Sequence, residues 1–308
     1  MGLYHPSMPL TTLLRGARRP MAALAALALA GCARAPAPGP PPAPVQPPPA
    51  EVVAVPEPVT PALSFAWTAR STRYTLLSRT LVQVVGDSVP AGTDTVTVNA
   101  AVTLAFAGRG DHRSVAGTVS DVSVTAGDRL TPPGPVSRNP PPPVEFSGEV
   151  GPGIATVALP PELATDCASA APALIAAARE LIPPVPAELR VGTTWSDSVT
   201  TTSCRAGVEL TSIARHEYRV EALDTRLGRP AVRIRRTSAL QIRGGGEQSR
   251  RPVVVDGTGR GTAVLWLDPA AGHLVEIDAA TTVMLRHQAG ERVATVEQTG
   301  SVRGVLRP

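Results

Sequence analysis

The sequence predicts a mainly β fold: a curved antiparallel sheet, a half-barrel-like meander, with one amphipathic helix packed on it. Three observations carry this. Apolar and polar residues alternate with period two through long stretches of residues 63–308, as in strands with one buried face. Turn residues separate those stretches at short intervals. One segment alone, near 170–182, carries apolar residues at helical spacing.

The first strand is read from Tyr74 to Val84. The next has the cleanest alternation, with Val96, Val98, Ala100, Val102, Leu104 and Phe106 interleaved with Thr95, Thr97, Asn99, Ala101 and Thr103. Between Val115 and Val124 the phase slips near Ser120-Asp121, which predicts a β-bulge. The proline-rich stretch Pro132 to Pro143 reads as a long loop. Leu174, Ile175, Ala178, Leu181 and Ile182 define the helix. Pro172 is tolerated only in a first turn, so the helix begins near Ser169 to Ala171, and Pro183-Pro184 ends it. Strands resume with Val232, Ile234, Leu240 and Ile242, then Thr262–Leu267, then Val275 to Leu285. Gly108 to Asp111, Gly228-Arg229, Asp268 to Gly272 and Gly290-Glu291 supply tight turns, so successive strands pair as a meander. Residues 63–308 are read as one domain, a size that all-β folds commonly reach.

The chain begins differently. Arg15, Arg18 and Arg19 precede an apolar run, Met21 to Ala30, which ends at Leu29-Ala30-Gly31-Cys32. A basic segment, a short apolar core and small residues before the cut make a secretory signal. The run is well short of the roughly 20 residues that span a bilayer. The four-residue box resembles that of bacterial lipoproteins. The resemblance implies removal of residues 1–31 and lipidation of Cys32. It implies a cell-envelope location, at the outer membrane facing the periplasm, since residue 33 is Ala rather than Asp. Residues 32–62 are rich in Pro and Ala and read as a tether. At about 3.1 Å per residue it reaches up to about 90 Å.

Removing the signal changes the charge argument. The whole chain has 29 basic and 25 acidic residues; without Arg15, Arg18 and Arg19 there are 26 basic residues, a net of +1. Near-neutrality gives no reason to expect nucleic-acid binding. Arg233, Arg235 and Arg243 share one parity and read as a solvated face opposite Val232, Ile234, Leu240 and Ile242.

Candidate chemistry is sparse. With Cys32 lipidated, Cys167 and Cys204 are an even pair in an oxidising compartment, the setting of a disulfide. His112, His216, His273 and His287 show no metal-ligand spacing, so no metal and no cofactor is expected. No nucleophile elbow occurs. Asp256-Gly257-Thr258-Gly259-Arg260-Gly261 has the wrong spacing for a phosphate loop and leads into a strand; its glycines relieve crowding or bend the chain. No enzyme is read from these motifs; a hydrolytic site would have to be spread over strands. Trp67, Trp195 and Trp266 are read as core fillers.

Anchor, meander and helix together resemble the LolA-like and LppX-like periplasmic lipoprotein carrier superfamily. The resemblance is one of architecture over about 63–308. It implies binding of a lipid or other apolar ligand between sheet and helix. Val96, Val98, Val102, Leu104 and Phe106 would face the cavity, with Leu174, Ile175 and Leu181 as its lid. The same residues also suit a dry core. In that case the expected role is structural, or the binding of an envelope protein partner.

Overall fold

The computed structural model describes residues 62–85, 92–128, 134–135, 141–158, 160–164, 169–205, 208–248 and 250–308. The chain divides into units Met1–Val59 and Thr60–Pro308. Every described residue belongs to the second; Cys32 and nearly all of the tether lie outside the described residues.

The strands are β1 (Leu63–Ser64), β2 (Ser71–Val85), β3 (Thr93–Ala107), β4 (Arg113–Asp128), β5 (Gly134–Pro135), β6 (Val144–Gly151), β7 (Ile154–Ala158), β8 (Glu188–Leu189), β9 (Thr194–Arg205), β10 (Val208–Arg226), β11 (Arg229–Gln248), β12 (Arg251–Asp268), β13 (His273–Ala289) and β14 (Arg292–Leu306). Among the described residues two helices, α1 (Pro161–Ala164) and α2 (Ala171–Arg179), lie between β7 and β8. Twelve strands form one antiparallel sheet in the order β7-β6-β4-β3-β2-β14-β13-β12-β11-β10-β9, with β5 beside β4. The sheet curls into a half-barrel. The small pair β1–β8 stands apart, Leu63 opposite Leu189.

The topology explains the position of the helix. Successive long strands pair as their short turns require. The long-range pairing of β2 with β14, from Tyr74 opposite Leu306 to Val85 opposite Thr295, joins two meanders in mid-sheet. That leaves β7 and β9 as the two edges. Between Ala158 and Thr194 the chain must cross from one edge to the other, and α2 packs against the sheet on the way. Its start and stop follow the sequence reading. The Ser169 hydroxyl accepts the Ala171 N–H at 3.1 Å, and Pro172 sits in the first turn. Two tightened turns follow, with Leu181 N–H to Ala178 O and Ile182 N–H to Arg179 O, before the prolines stop the helix.

Leu174, Ile175, Ala178, Leu181 and Ile182 bury against one face of the sheet, hereafter the inner face. They meet Leu76, Val102, Ile234, Leu265 and Ile277 in a single apolar cluster at one end of the long strands. Gly304 makes room for the segment after α2. A Cβ there would lie 2.3 Å from Leu181 Cδ2.

The bulge falls where the phase slip put it. Asn99 pairs with Ser123 but Ala101 with Ser120, and Asp121 takes a left-handed φ of 54°. The glycine-rich run differs from expectation in one respect. It does not lead into a strand at Thr262; it lies within β12, which starts at Arg251. Neighbours on both sides keep its backbone in the ladder. A Cβ at Gly257 would come within 2.7 Å of Met284 O, and one at Gly259 within 2.7 Å of Thr282 O. The sheet is therefore curled too tightly here for inner-face side chains on β12.

Candidate functional site

Register sorts the inner face into rows across the strands. The lowest row, Ile234, Leu265, Ile277 and Gly304, lies in the core under the helix segment. One row up, Tyr218 and Arg236 stand beside Ala263, Ala279 and Val302. The next row is polar from edge to centre: Asp197, His216, Ser238, then Gly261, Thr281 and Gly300. Beyond it the face is mainly apolar, Gln298 and Asp94 excepted, with Leu240, Ile242, Val82, Val84 and Val296. These five are half-buried and belong neither to the main core nor to a second cluster around Val208, Val253 and Val255.

The polar row borders the C-terminal end of α2. Arg236, with its side chain 7% exposed, donates to Glu180 Oε2 from Nη2 at 2.6 Å. His216 Nδ1 lies 2.7 Å from Ser238 Oγ, with both residues buried. Asp197 faces His216 from β9. Asp197 Oδ1 and Arg236 Nε are buried and make no hydrogen bond. Trp195 stacks on Tyr218 at 5.0 Å between centroids and donates its indole N–H to Pro184 O. A space of about 20 Å³ lies among Arg179, Glu180, Asp197, His216, Tyr218 and Arg236, about what one water needs.

Burial and the Arg236 guanidinium hold His216 below the ordinary histidine range, against the pull of Asp197 and Glu180. Burial likewise raises the Tyr218 phenol. Burial lowers Arg179, opposed by Asp197 and Glu180. The row thus places a neutral imidazole between a carboxylate and a hydroxyl, with a guanidinium one row below. A serine–imidazole bond of this length is what proton transfer from a hydroxyl requires.

The apolar residues expected to bind a ligand divide. Val102, Leu104, Phe106, Leu174, Ile175 and Leu181 are all buried in the main core. Val96 and Val98 lie farther along β3 and are half-buried, and Val98 packs against that core. Cys204 lies on β9 and its sulfur is disulfide-bonded; Cys167 lies outside the described residues. Trp67 is buried between Phe65 and Phe106. Trp266 instead lies half-buried under the Arg226 guanidinium, 4.3 Å from the ring centroid.

Reading motifs missed the polar row. Asp197, His216 and Ser238 are separated by about twenty residues each and meet only through the ladder. A signal was present. His216 shares the parity of Tyr218 and Val220, and Arg236 that of Val232 and Ile234, so both are polar residues on a buried face.

The outer face holds two other charged groups. Arg226 and Arg303 bind Glu276, which is 1% exposed. Burial raises Glu276, but the two arginines outweigh it and hold the carboxyl below its usual range. Arg233 and Arg235 pair with Glu221, as a solvated face permits. An open groove of about 370 Å³ is lined by outer-face Arg243, Asp256, Met284 and Arg286. It is larger than the space at the polar row, but its charged side chains are exposed and solvated. The buried, unbonded groups make the polar row the better candidate.

Comparison with known proteins adds little. No family model matches the chain, and no curated protein matches it. Among solved structures it is similar to Pseudomonas aeruginosa OccK5 (OpdH), with a TM-score of 0.28, 7% identity, and 79% of this chain and 100% of that one covered. A putative exported protein with YmcC-like fold from Bacteroides fragilis gives a TM-score of 0.25, 9% identity and coverage of 80% and 100%. Pseudomonas aeruginosa OpdQ gives 0.19, 7%, and coverage of 77% and 99%. These likenesses are too loose to carry a fold or a function across.

Proposed function

We propose that this protein is an envelope lipoprotein, anchored through Cys32 to the outer membrane, whose half-barrel holds an amphiphilic ligand on its inner face. The observation that carries this reading is the change of character along that face. The dry core gives way to a polar row with unbonded buried groups, and then to half-buried Leu240, Ile242, Val82, Val84 and Val296. An acyl chain along the apolar rows, with its polar end at the row of His216, matches that order. The ligand lies above the helix rather than under it, because the space beneath α2 is filled with side chains.

Native mass spectrometry after gentle extraction tests it. The expected result is a mature protein carrying a dissociable lipid-sized mass. Substituting Ile242→Asp, on the proposed wall, removes that mass while the fold persists. A wild-type protein that releases nothing on delipidation overturns the proposal.

A second reading rests on β9. Among the described residues this edge strand pairs as a ladder only with β10, with α1 packed near it, and an envelope protein would add its strand along the remainder of that edge. Crosslinking in intact envelopes with a photoreactive group at Ser198 then yields one stoichiometric adduct; a ligand-only protein yields none.

A further inference from the structure

We propose that the row Asp197–His216–Ser238 is a hydrolytic site for carboxylic esters presented from the inner face. Ser238 is the nucleophile, His216 the general base and Asp197 its positioning residue. The proposal rests on the ligand reading above for the substrate's route of approach.

The geometry comes from register. Asp197, His216 and Ser238 are direct cross-strand neighbours on β9, β10 and β11. Neighbouring strands lie about 4.8 Å apart, so three same-face side chains stand side by side. The Ser238 hydroxyl is already 2.7 Å from His216 Nδ1, within the range for nucleophile and base. Asp197 acts on the imidazole from the opposite side, where its charge raises the ring's proton affinity. On β12 the neighbour of Ser238 is Gly261; a Cβ there would pack 3.5 Å from Ser238 Cβ. A larger residue would cover the flank of the nucleophile. Next along β11 on the same face comes Leu240, the start of the apolar wall.

A purely structural role accounts for the serine–histidine bond. Asp197 Oδ1 and Arg236 Nε lie buried beside it without a protein partner and border the space that one water would fill. In an acyl transfer both have a use. Asp197 stabilises the imidazolium that forms, and Arg236 Nε–H donates to the carbonyl oxygen as it gains charge.

The reaction balances without a further cofactor. The Ser238 oxygen bonds to the ester carbonyl carbon as its proton passes to His216 Nδ1. The bond from that carbon to the alcohol oxygen then breaks, and His216 returns the proton to the departing alcohol. Water attacks the acyl-serine, giving its proton to His216, and the acid leaves as Ser238 is reprotonated. Burial keeps His216 neutral, and so able to act as base, at neutral pH.

The experiment uses the mature, detergent-extracted full chain. A fluorophosphonate probe is expected to label Ser238, as peptide mapping would show. Hydrolysis of p-nitrophenyl decanoate is expected to fall by about 10²–10⁴-fold in His216→Gln, and labelling to vanish in Ser238→Ala. Asp197→Asn is expected to lower kcat and move the pH profile while KM holds. Wild-type protein that gives no adduct on the Ser238 peptide and hydrolyses no faster than Ser238→Ala overturns the proposal. Native mass spectrometry of the wild type separates the two readings. Wild type that retains its ligand without turnover or a Ser238 adduct sinks the hydrolytic site alone; wild type with neither ligand nor turnover sinks the ligand reading as well.

Discussion

Arg236 carries its charge into a nearly dry setting, and Glu180 is its only ion-pair partner among the described residues. Truncating one member of a buried pair leaves the other charge unpaired, at a cost of about 3–5 kcal/mol. Glu180 is itself partly solvated, so Glu180→Ala is expected at the lower end, about 3 kcal/mol, in urea unfolding. The exposed pair Arg190–Glu188, 3.7 Å apart, is the control, and Glu188→Ala should cost at most about 1 kcal/mol. Equal effects would mean that Arg236 is hydrated. The histidines add a pH dependence. His216, His273 and His287 all titrate below the free value, each chiefly through burial. The unfolded chain therefore binds more protons than the folded one between the folded values and the ordinary value of about 6.5. Stability is full above that ordinary value and falls as pH drops through it towards the folded values. Thermal melts from pH 8 to pH 5 should show the fall, and His216→Gln should lessen its slope. At this scale the sequence was a poor guide. A buried Arg or His is conspicuous only when its strand's parity is known, and a cross-strand neighbour only when the register is.

Element by element, much more was legible. Alternation located the long strands because one face is buried along much of their length, and Pro172 with Pro183-Pro184 bracketed α2 by chain chemistry alone. The slip at Asp121 was visible because a bulge breaks parity. Two things were hidden. The pairing of β2 with β14 joins segments more than 200 residues apart, and no local pattern reports it. The place of Gly257, Gly259 and Gly261 inside β12, rather than ahead of a strand at Thr262, was the other; that these glycines relieve crowding or bend the strand was legible. Gly259→Val is the sharpest test of the curl over β12. Its Cβ would meet backbone, Thr282 O at 2.7 Å, as well as Val283 Cγ2 at 2.7 Å. Overpacking of this kind costs about 1–3 kcal/mol, so the variant should melt lower, and Gly290→Ala, with nothing within 4 Å of its Cβ but a left-handed φ, should cost less. A second test concerns β9. If Cys204 joins Cys167, non-reducing peptide mapping of the mature protein yields that one bridged pair. Reduction then lowers stability by about 3–4 kcal/mol through the loop it opens. A bridge from Cys204 to Cys32 would refute both this pairing and lipidation of Cys32.

For the whole molecule the proposals meet at Cys32. A tether of residues 32–62 would keep the proposed ligand site near the membrane yet free of it. A single acyl chain binds marginally, whereas two or three hold a protein firmly. Cys32→Ser should therefore abolish incorporation of labelled palmitate and move the protein from the membrane fraction to the soluble periplasm. The sheet, its core and α2 all lie within Thr60–Pro308, so the released protein should melt as the anchored one does and keep its ligand. Shortening residues 33–62 by half should leave the label and the membrane fraction unchanged while reducing the distance at which the domain can be crosslinked to envelope partners. Wild-type amounts of Cys32→Ser in washed membranes, in a form whose mass shows that residues 1–31 are gone, would remove the anchor from the argument and make the half-barrel itself the membrane-binding element.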